Sequence, residues 1–562
     1  MGEPAATIAA LRSPARRLHS AWALTTAALA AAAVVAVPIV AVAWSLTRPV
    51  WDVWAHLWHT QLVELVLNTG QLLVGVGLGV LILGTSLAWL VVTYQFPGRH
   101  LFEWALVLPL ALPAYVIGFV FLGLLDFAGP VQTGLRELFG PGFRLPDLRS
   151  GWGVTLMMTL VFYPYVYTLA RTALLEQSPE TLESARSLGR TRFQAFRAVT
   201  LPMARPSLVA GMSLAGMEAL ADFGTVATFG YRTLTEAIYR VWHGMFDRLA
   251  ATQLAALLLG FAFLLVLVER ASRGRARYTQ ARRHGHPPAP IVLRGLPAAA
   301  ATGVCATVLF VAFGLPVGQL LGWGIGALGR EGLPAGFGLL LGNSVWLATV
   351  SAVAACALAI LLAYAVRLHP TPLVVPAVRF ATMGYALPGA VIAVGVLLPL
   401  TWLDRALATA LERILGIATG LVLTGSALGL VFAYLVRFLA VGFNTVEASL
   451  TKIPGSLDEA ARSLGAGGGR SLREVHLPLM WRGVLAAAAL VFVDVVKEMP
   501  ATLLLRPSGL NTLAITVWQR TAESLWQEAA APALALVAAG LIPVALILRV
   551  APGRRTATRD DQ

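Results

Sequence analysis

Gln177–Ser207, QSPETLESARSLGRTRFQAFRAVTLPMARPS, decides how the chain is read, because Lys452–Val484, KIPGSLDEAARSLGAGGGRSLREVHLPLMWRGV, repeats it. Glu183 precedes Gly189 by six residues, as Glu459 precedes Gly465. Leu201-Pro202 and Leu477-Pro478 each follow their glycine by twelve. Both stretches are Arg-rich polar islands between long apolar runs. Each predicts a short helix with small residues on one face, broken at the glycine. A second helix follows and ends at the proline before the chain turns apolar again. A small-faced helix lying outside a bilayer fits a groove on a partner protein.

Composition sets the solvent for the rest. Of 562 residues, 57% are hydrophobic and 12% charged, with a mean hydropathy of +0.75. A soluble domain carries about a quarter charged residues, so the chain predicts an all-α integral membrane protein in contact with the lipid bilayer. The formal charge of +14 invites a nucleic-acid reading. Arg is concentrated in a few loops, however, as in the cytoplasmic loops of membrane proteins, and no basic face carries interleaved aromatics. Nucleic acid is therefore excluded as a partner. Cys305 and Cys356 both lie in apolar runs, which argues against a disulfide framework or a zinc site.

Residues 1–20 carry Arg12, Arg16 and Arg17 and predict a cytoplasmic N-terminus. The apolar run Ala21–Trp44 is longer than a signal-peptide core of about 7–15 residues and suits a retained first span. About twelve spans follow from the apolar runs. Those of the second half are expected near 297–321, 338–366, 375–400, 421–443, 483–505 and 531–549. The predicted organisation is a first repeat at 21–268 with its polar loop at 176–206, then an Arg-rich cytoplasmic linker at 269–295. A second repeat at 296–550 has its loop at 447–482, and the tail 551–562 is cytoplasmic. The outer loops are expected around 126–150, 231–250, 401–420 and 506–530.

The halves superpose by arithmetic: Asn68 on Asn343 (343 − 68 = 275), Pro113 on Pro388 (388 − 113 = 275) and Glu183 on Glu459 (459 − 183 = 276). Six spans per repeat is an even number, so the two six-helix repeats run parallel about an axis along the membrane normal.

Past each polar loop the apolar run carries two acids four residues apart, Glu218 with Asp222 and Asp494 with Glu498. The pairs are equivalent (494 − 218 = 276; 498 − 222 = 276). On a continuous helix each pair shares one face. Burying a carboxylate mid-span costs about 2.5–3.5 kcal/mol, so these four are translocation-path candidates. The structural alternative is neutralisation of Asp494 or Glu498 by Lys497.

A P-loop needs a lysine at its end, and the two lysines, Lys452 and Lys497, end no such motif. The run Gly465–Ser471 reads instead as a flexible break. His284 and His286 in the linker read as solvated loop residues. No catalytic, cofactor or metal-binding residues are predicted in this chain.

The second polar stretch resembles the EAA loop of ABC-importer permeases in full, with Glu459-Ala460-Ala461 and Gly465. The first matches with one small-for-small change, Glu183-Ser184-Ala185 before Gly189. The resemblance implies the ABC-importer permease fold, and coupling helices at Glu183, Ala185, Gly189, Glu459, Ala460, Ala461 and Gly465. It further implies that these helices dock on a dimeric ABC ATPase subunit that holds ATP and Mg, that a periplasmic substrate-binding protein delivers the cargo, and that the chain lies in a bacterial inner membrane. The stretches Ala221–Thr225 and Lys497–Pro507 resemble the fused permeases for ferric iron. Fused permeases for thiamine, phosphonate or polyamine share the plan. A secondary transporter driven by an ion gradient is the rival of another class, and it leaves the repeated loops unexplained.

Overall fold

The computed structural model describes residues 14–48, 51–177, 185, 187–273, 290–334, 336–416 and 421–550. Long runs of Leu, Val and Ala fold as helices because a helix satisfies its own backbone polar groups in lipid. Among the described residues, ten helices are long and apolar enough to cross a membrane. Leu201–Ala221 and Trp526–Val550 add two more in places the repeat assigns to spans. The duplication is visible helix by helix. Leu62–Thr93 matches Phe337–Leu368 (337 − 62 = 275; 368 − 93 = 275). Leu201–Ala221 matches Leu477–Lys497 (477 − 201 = 276; 497 − 221 = 276).

The chain divides into two compact units whose membership differs from the halves of the sequence. In one, the residues up to Arg48 join Leu339–Thr512. Its first helix, Pro14–Ser45, packs on Val374–Ala381 and Gly389–Leu415. A side chain at Gly395 would come within 2.5 Å of the Pro38 carbonyl, so glycine lets these two helices touch backbone to backbone.

The other unit joins Pro49–Gly338 to the residues from Leu513 on. Leu62–Thr93 and Gly151–Leu175 meet along small residues. A Cβ at Gly84 would lie 2.8 Å from the Tyr163 carbonyl and 2.9 Å from the Tyr167 amide. Leu315–Glu331 is held against Ala114–Leu125 and Trp526–Val550 by aromatic rings. Phe119 stacks 6.3 Å from Trp323 and 6.2 Å from Trp526, centroid to centroid. Two short parallel strands, β1 (Tyr94–Gln95) and β2 (Ile291–Val292), tie the end of the linker to the loop after Thr93.

Three expectations are corrected. The helices entering Leu201-Pro202 and Leu477-Pro478 do not end there. Leu201 donates its amide to Phe196 and Leu477 to Leu472, five residues back instead of four. Leu315 does the same to Phe310 ahead of Pro316. Proline lacks an N–H and its ring crowds the carbonyl four back, and a single widened π-turn removes that conflict without stopping the helix. The glycine run is not a break throughout, since Gly468–Ser471 is already helical. The expected outer loop at 401–420 is helical as far as Leu415, the helix Gly389–Leu415 continuing through Pro399.

Candidate coupling and translocation sites

The second repeated loop is built as a short hook. Gly455–Ser463 is a helix that starts after Pro454 and ends at Gly465, whose φ is +79°. Gly189 stands at +81° in the first copy. A Cβ at either glycine meets nothing within 4 Å, so the requirement is the left-handed backbone alone. The closing hydrogen bond is also repeated. The Ala466 amide donates to Ala461 at 2.9 Å and the Arg190 amide to Ala185 at 3.3 Å, the six-to-one bond of a helix C-terminus.

Glu183 lies outside the described residues. Ala185 and Ala461 are buried against their own units, whereas Glu459 and Ala460 are exposed. The expected small face is thus divided. One alanine seats the hook, and Glu459, Ala460 and Leu464 form its outward surface. Leu464 is 86% exposed and Leu188, its counterpart before Gly189, is 81% exposed.

The acids beyond each hook do not share one helix face as expected. The helices end at Ala221 and Lys497, and Asp222 and Glu498 fall on extended residues at the break. There each carboxylate caps the next short helix. Asp222 accepts from the Thr225 amide at 2.7 Å and the Thr225 hydroxyl at 2.8 Å. Glu498 accepts from the Ala501 and Thr502 amides at 2.9 and 3.0 Å, and from the Thr502 hydroxyl at 2.7 Å. Orphan amides at a helix start are satisfied in this way by a nearby oxygen acceptor. Glu218 and Asp494 lie one turn earlier and are half-buried.

Glu498 has a further partner that sequence reasoning missed. Arg437, on Ala427–Leu450, donates Nη1 to Glu498 Oε1 at 2.7 Å, and both side chains are nearly sealed from solvent. Tyr434, one turn earlier, shares a 2.6 Å hydrogen bond with the Thr502 hydroxyl. A lone arginine in the apolar run FAYLVRFLAV was the available signal, because a charge there needs a partner. The first repeat has Val161 at the equivalent place (437 − 276 = 161). Its break is lined by rings instead, Phe223 lying 4.8 Å from Tyr239 and 5.8 Å from Trp518.

The loop that follows each break is pinned identically. Asn68 Nδ2 donates to the Arg232 carbonyl at 2.9 Å, and Asn343 Nδ2 to the Asn511 carbonyl at 3.0 Å. Among the described residues no group of three or more metal-ligating side chains is gathered.

Two left-handed glycines, two capped breaks and two pinned loops describe a duplicated membrane subunit, and comparison with known sequences agrees. The profile of the binding-protein-dependent transport system inner membrane component matches twice, at residues 80–277 and 357–556. The chain belongs to this family. The permease is similar to the Fe(3+)-transport system permease protein FbpB 2 of Haemophilus influenzae, 29% identical over 499 residues, covering 88% of this chain and 91% of that one. It is also similar to the sulfate transport system permease protein CysT of Salmonella typhimurium, at 32% over 190 residues, or 33% of this chain and 67% of the relative. The molybdenum transport system permease protein ModB of Escherichia coli is 30% identical over 203 residues, or 34% of this chain and 87% of the relative. The permease is therefore a fused, multi-pass inner-membrane subunit of an ABC importer, with one family domain in each sequence half.

Proposed function

We propose that the permease imports ferric iron, delivered by a periplasmic binding protein and driven by a dimeric ATPase carried on separate chains. The observation behind the cargo is the extent of similarity. The Fe(3+)-transport relative aligns over nine-tenths of its length and through both halves, while the sulfate and molybdenum relatives each match about a third of this chain.

In this reading both termini and the Arg-dense segments are cytoplasmic, and the hooks around Glu183–Gly189 and Glu459–Gly465 dock on the ATPase dimer. The exposed Leu188 and Leu464 and the outward Glu459 support that role. The breaks at Asp222 and Glu498 interrupt the helices that leave the hooks, so motion of a hook has a direct mechanical route to them. Glu218 and Asp494 are the carboxylates we assign to the cargo path. Asp222 and Glu498 serve the path by holding its bends.

Uptake of ferric iron into vesicles holding the whole complex tests the reading. Iron entry is expected to need enclosed ATP, to survive collapse of ion gradients and to ignore excess sulfate or molybdate. Competition by either oxyanion would reassign the cargo, and loss of uptake on gradient collapse would favour a secondary transporter.

A further inference from the structure

We propose that Arg367 and Asp458 form a clamp that transmits movement of the second hook into the membrane helices. This rests on the coupling role proposed above. Asp458 lies on the hook helix, and Arg367 is in the last turn of Phe337–Leu368. Arg367 Nε and Nη2 reach the same Asp458 oxygen at 3.1 and 2.6 Å. Its remaining donor capacity goes to carbonyls at the root of the hook, Ile453 at 2.9 Å and Leu450. The other Asp458 oxygen lies 3.0 Å from Nε2 of His476, which has no exposed surface. Tyr364, one turn before Arg367, packs edge-on against that imidazole and donates to the Gly468 carbonyl at 2.8 Å.

Five segments converge on this cluster: two span ends, the hook helix, the glycine run and the start of the helix that leads to Glu498. Both Arg367 and Asp458 side chains are about 85% shielded, at 15% and 13% exposure. A planar guanidinium with all its faces engaged fixes direction as well as distance, which a lysine cannot do. The first repeat has none of these groups. Its equivalents of Tyr364, Arg367, Asp458 and His476 are Trp89, Val92, Leu182 and Thr200 (offsets 275, 275, 276 and 276). There Trp89 packs on Phe196 at 4.9 Å, and Gln177 Nε2 donates to the Thr200 carbonyl at 3.0 Å. By residue type, the guanidinium–carboxylate clamp belongs to the second repeat.

The test uses the full chain assembled with its ATPase and binding protein in lipid vesicles, with ferric iron as the probe. Asp458→Asn is expected to retain the co-purifying ATPase yet to lose about fivefold or more of the iron imported per ATP hydrolysed. Arg367→Lys, which keeps the charge but not the fork, should fall in between and carries the comparison if Asp458→Asn accumulates poorly. Val92→Ala in the first repeat should leave the ratio near that of the parent. An unchanged ratio in Asp458→Asn and Arg367→Lys overturns the clamp while leaving the importer reading intact. Loss of the ATPase from Asp458→Asn also overturns it, because the pair then only seats the docking surface. A parent chain that never retains an ATPase overturns both.

Discussion

Glu103 on the short helix Arg99–Ala105 and Arg379 on the corresponding helix Val374–Ala381 stand within one residue of equivalent places in the two repeats and carry opposite charge. Each is answered from the end of a span by a residue that is also reversed. Arg171 lies 3.5 Å from Glu103, and Glu447 lies 3.2 Å from Arg379. What the duplication keeps here is the bond, with its polarity inverted. Both pairs sit just before the polar loops, so each fastens the root of a hook to the neighbouring short helix.

Arg171→Glu should therefore set two carboxylates against each other and cost about 0.5–1 kcal/mol, the range of partly exposed pairs. The double variant Glu103→Arg with Arg171→Glu reverses this pair and should recover part of that loss, Arg99, now 3.3 Å from Glu103, opposing the rest. Thermal unfolding of the purified chain reads both; no recovery in the double variant would refute the inversion argument.

Arg437→Met leaves Glu498 buried without its cation, a change expected to destabilise by about 3–5 kcal/mol. Arg437→Met combined with Glu498→Gln should be milder than the single change, because no charge is left buried, although the one amide oxygen replaces only one of the two oxygens that accept from the Ala501 and Thr502 amides. Denaturant titration in detergent distinguishes these orders, and equal losses would mean that the ion pair is not the main tie.

Gly84→Val brings a Cβ within 2.8 Å of the Tyr163 carbonyl and 2.9 Å of the Tyr167 amide, well inside van der Waals contact. Overpacking of about 1–3 kcal/mol is expected, with the helices Leu62–Thr93 and Gly151–Leu175 forced apart. A melting temperature equal to that of the parent would show that this contact has slack.

Gly465→Ala costs no space, so its effect should be only the strain of a left-handed alanine, about 1–2 kcal/mol. The loss should be local. Amide exchange at Ala466 is expected to speed up while the core helices stay protected, and global destabilisation would contradict a hook that folds at its own tip.

The duplication, the hooks and the left-handed glycines were legible in the sequence because each rests on a residue type at a fixed spacing. Glu459 through Gly465 is such a signature, and so is the return of Leu-Pro twelve residues on. The π-turns were not legible. A five-residue hydrogen bond leaves no periodic mark in side chains, and a proline by itself reads as a stop. Asp222 and Glu498 were found as buried acids but taken for members of a continuous helix face, although Gly224 and Pro500, two residues on, were signals that each helix ends there. Arg437 needed the fold, since its partner is 61 residues away. The grouping of Pro14–Ser45 with the second repeat is likewise a fact of packing, for an apolar helix carries no address.

The parallel pairing of Tyr94–Gln95 with Ile291–Val292 changes what the linker is for. Arg273 and Pro290, the described residues on either side of it, belong to the same compact unit, and β2 stitches its far end back onto that unit. A single chain also delivers the two repeats in equal number, as one gene product that never has to find its mate.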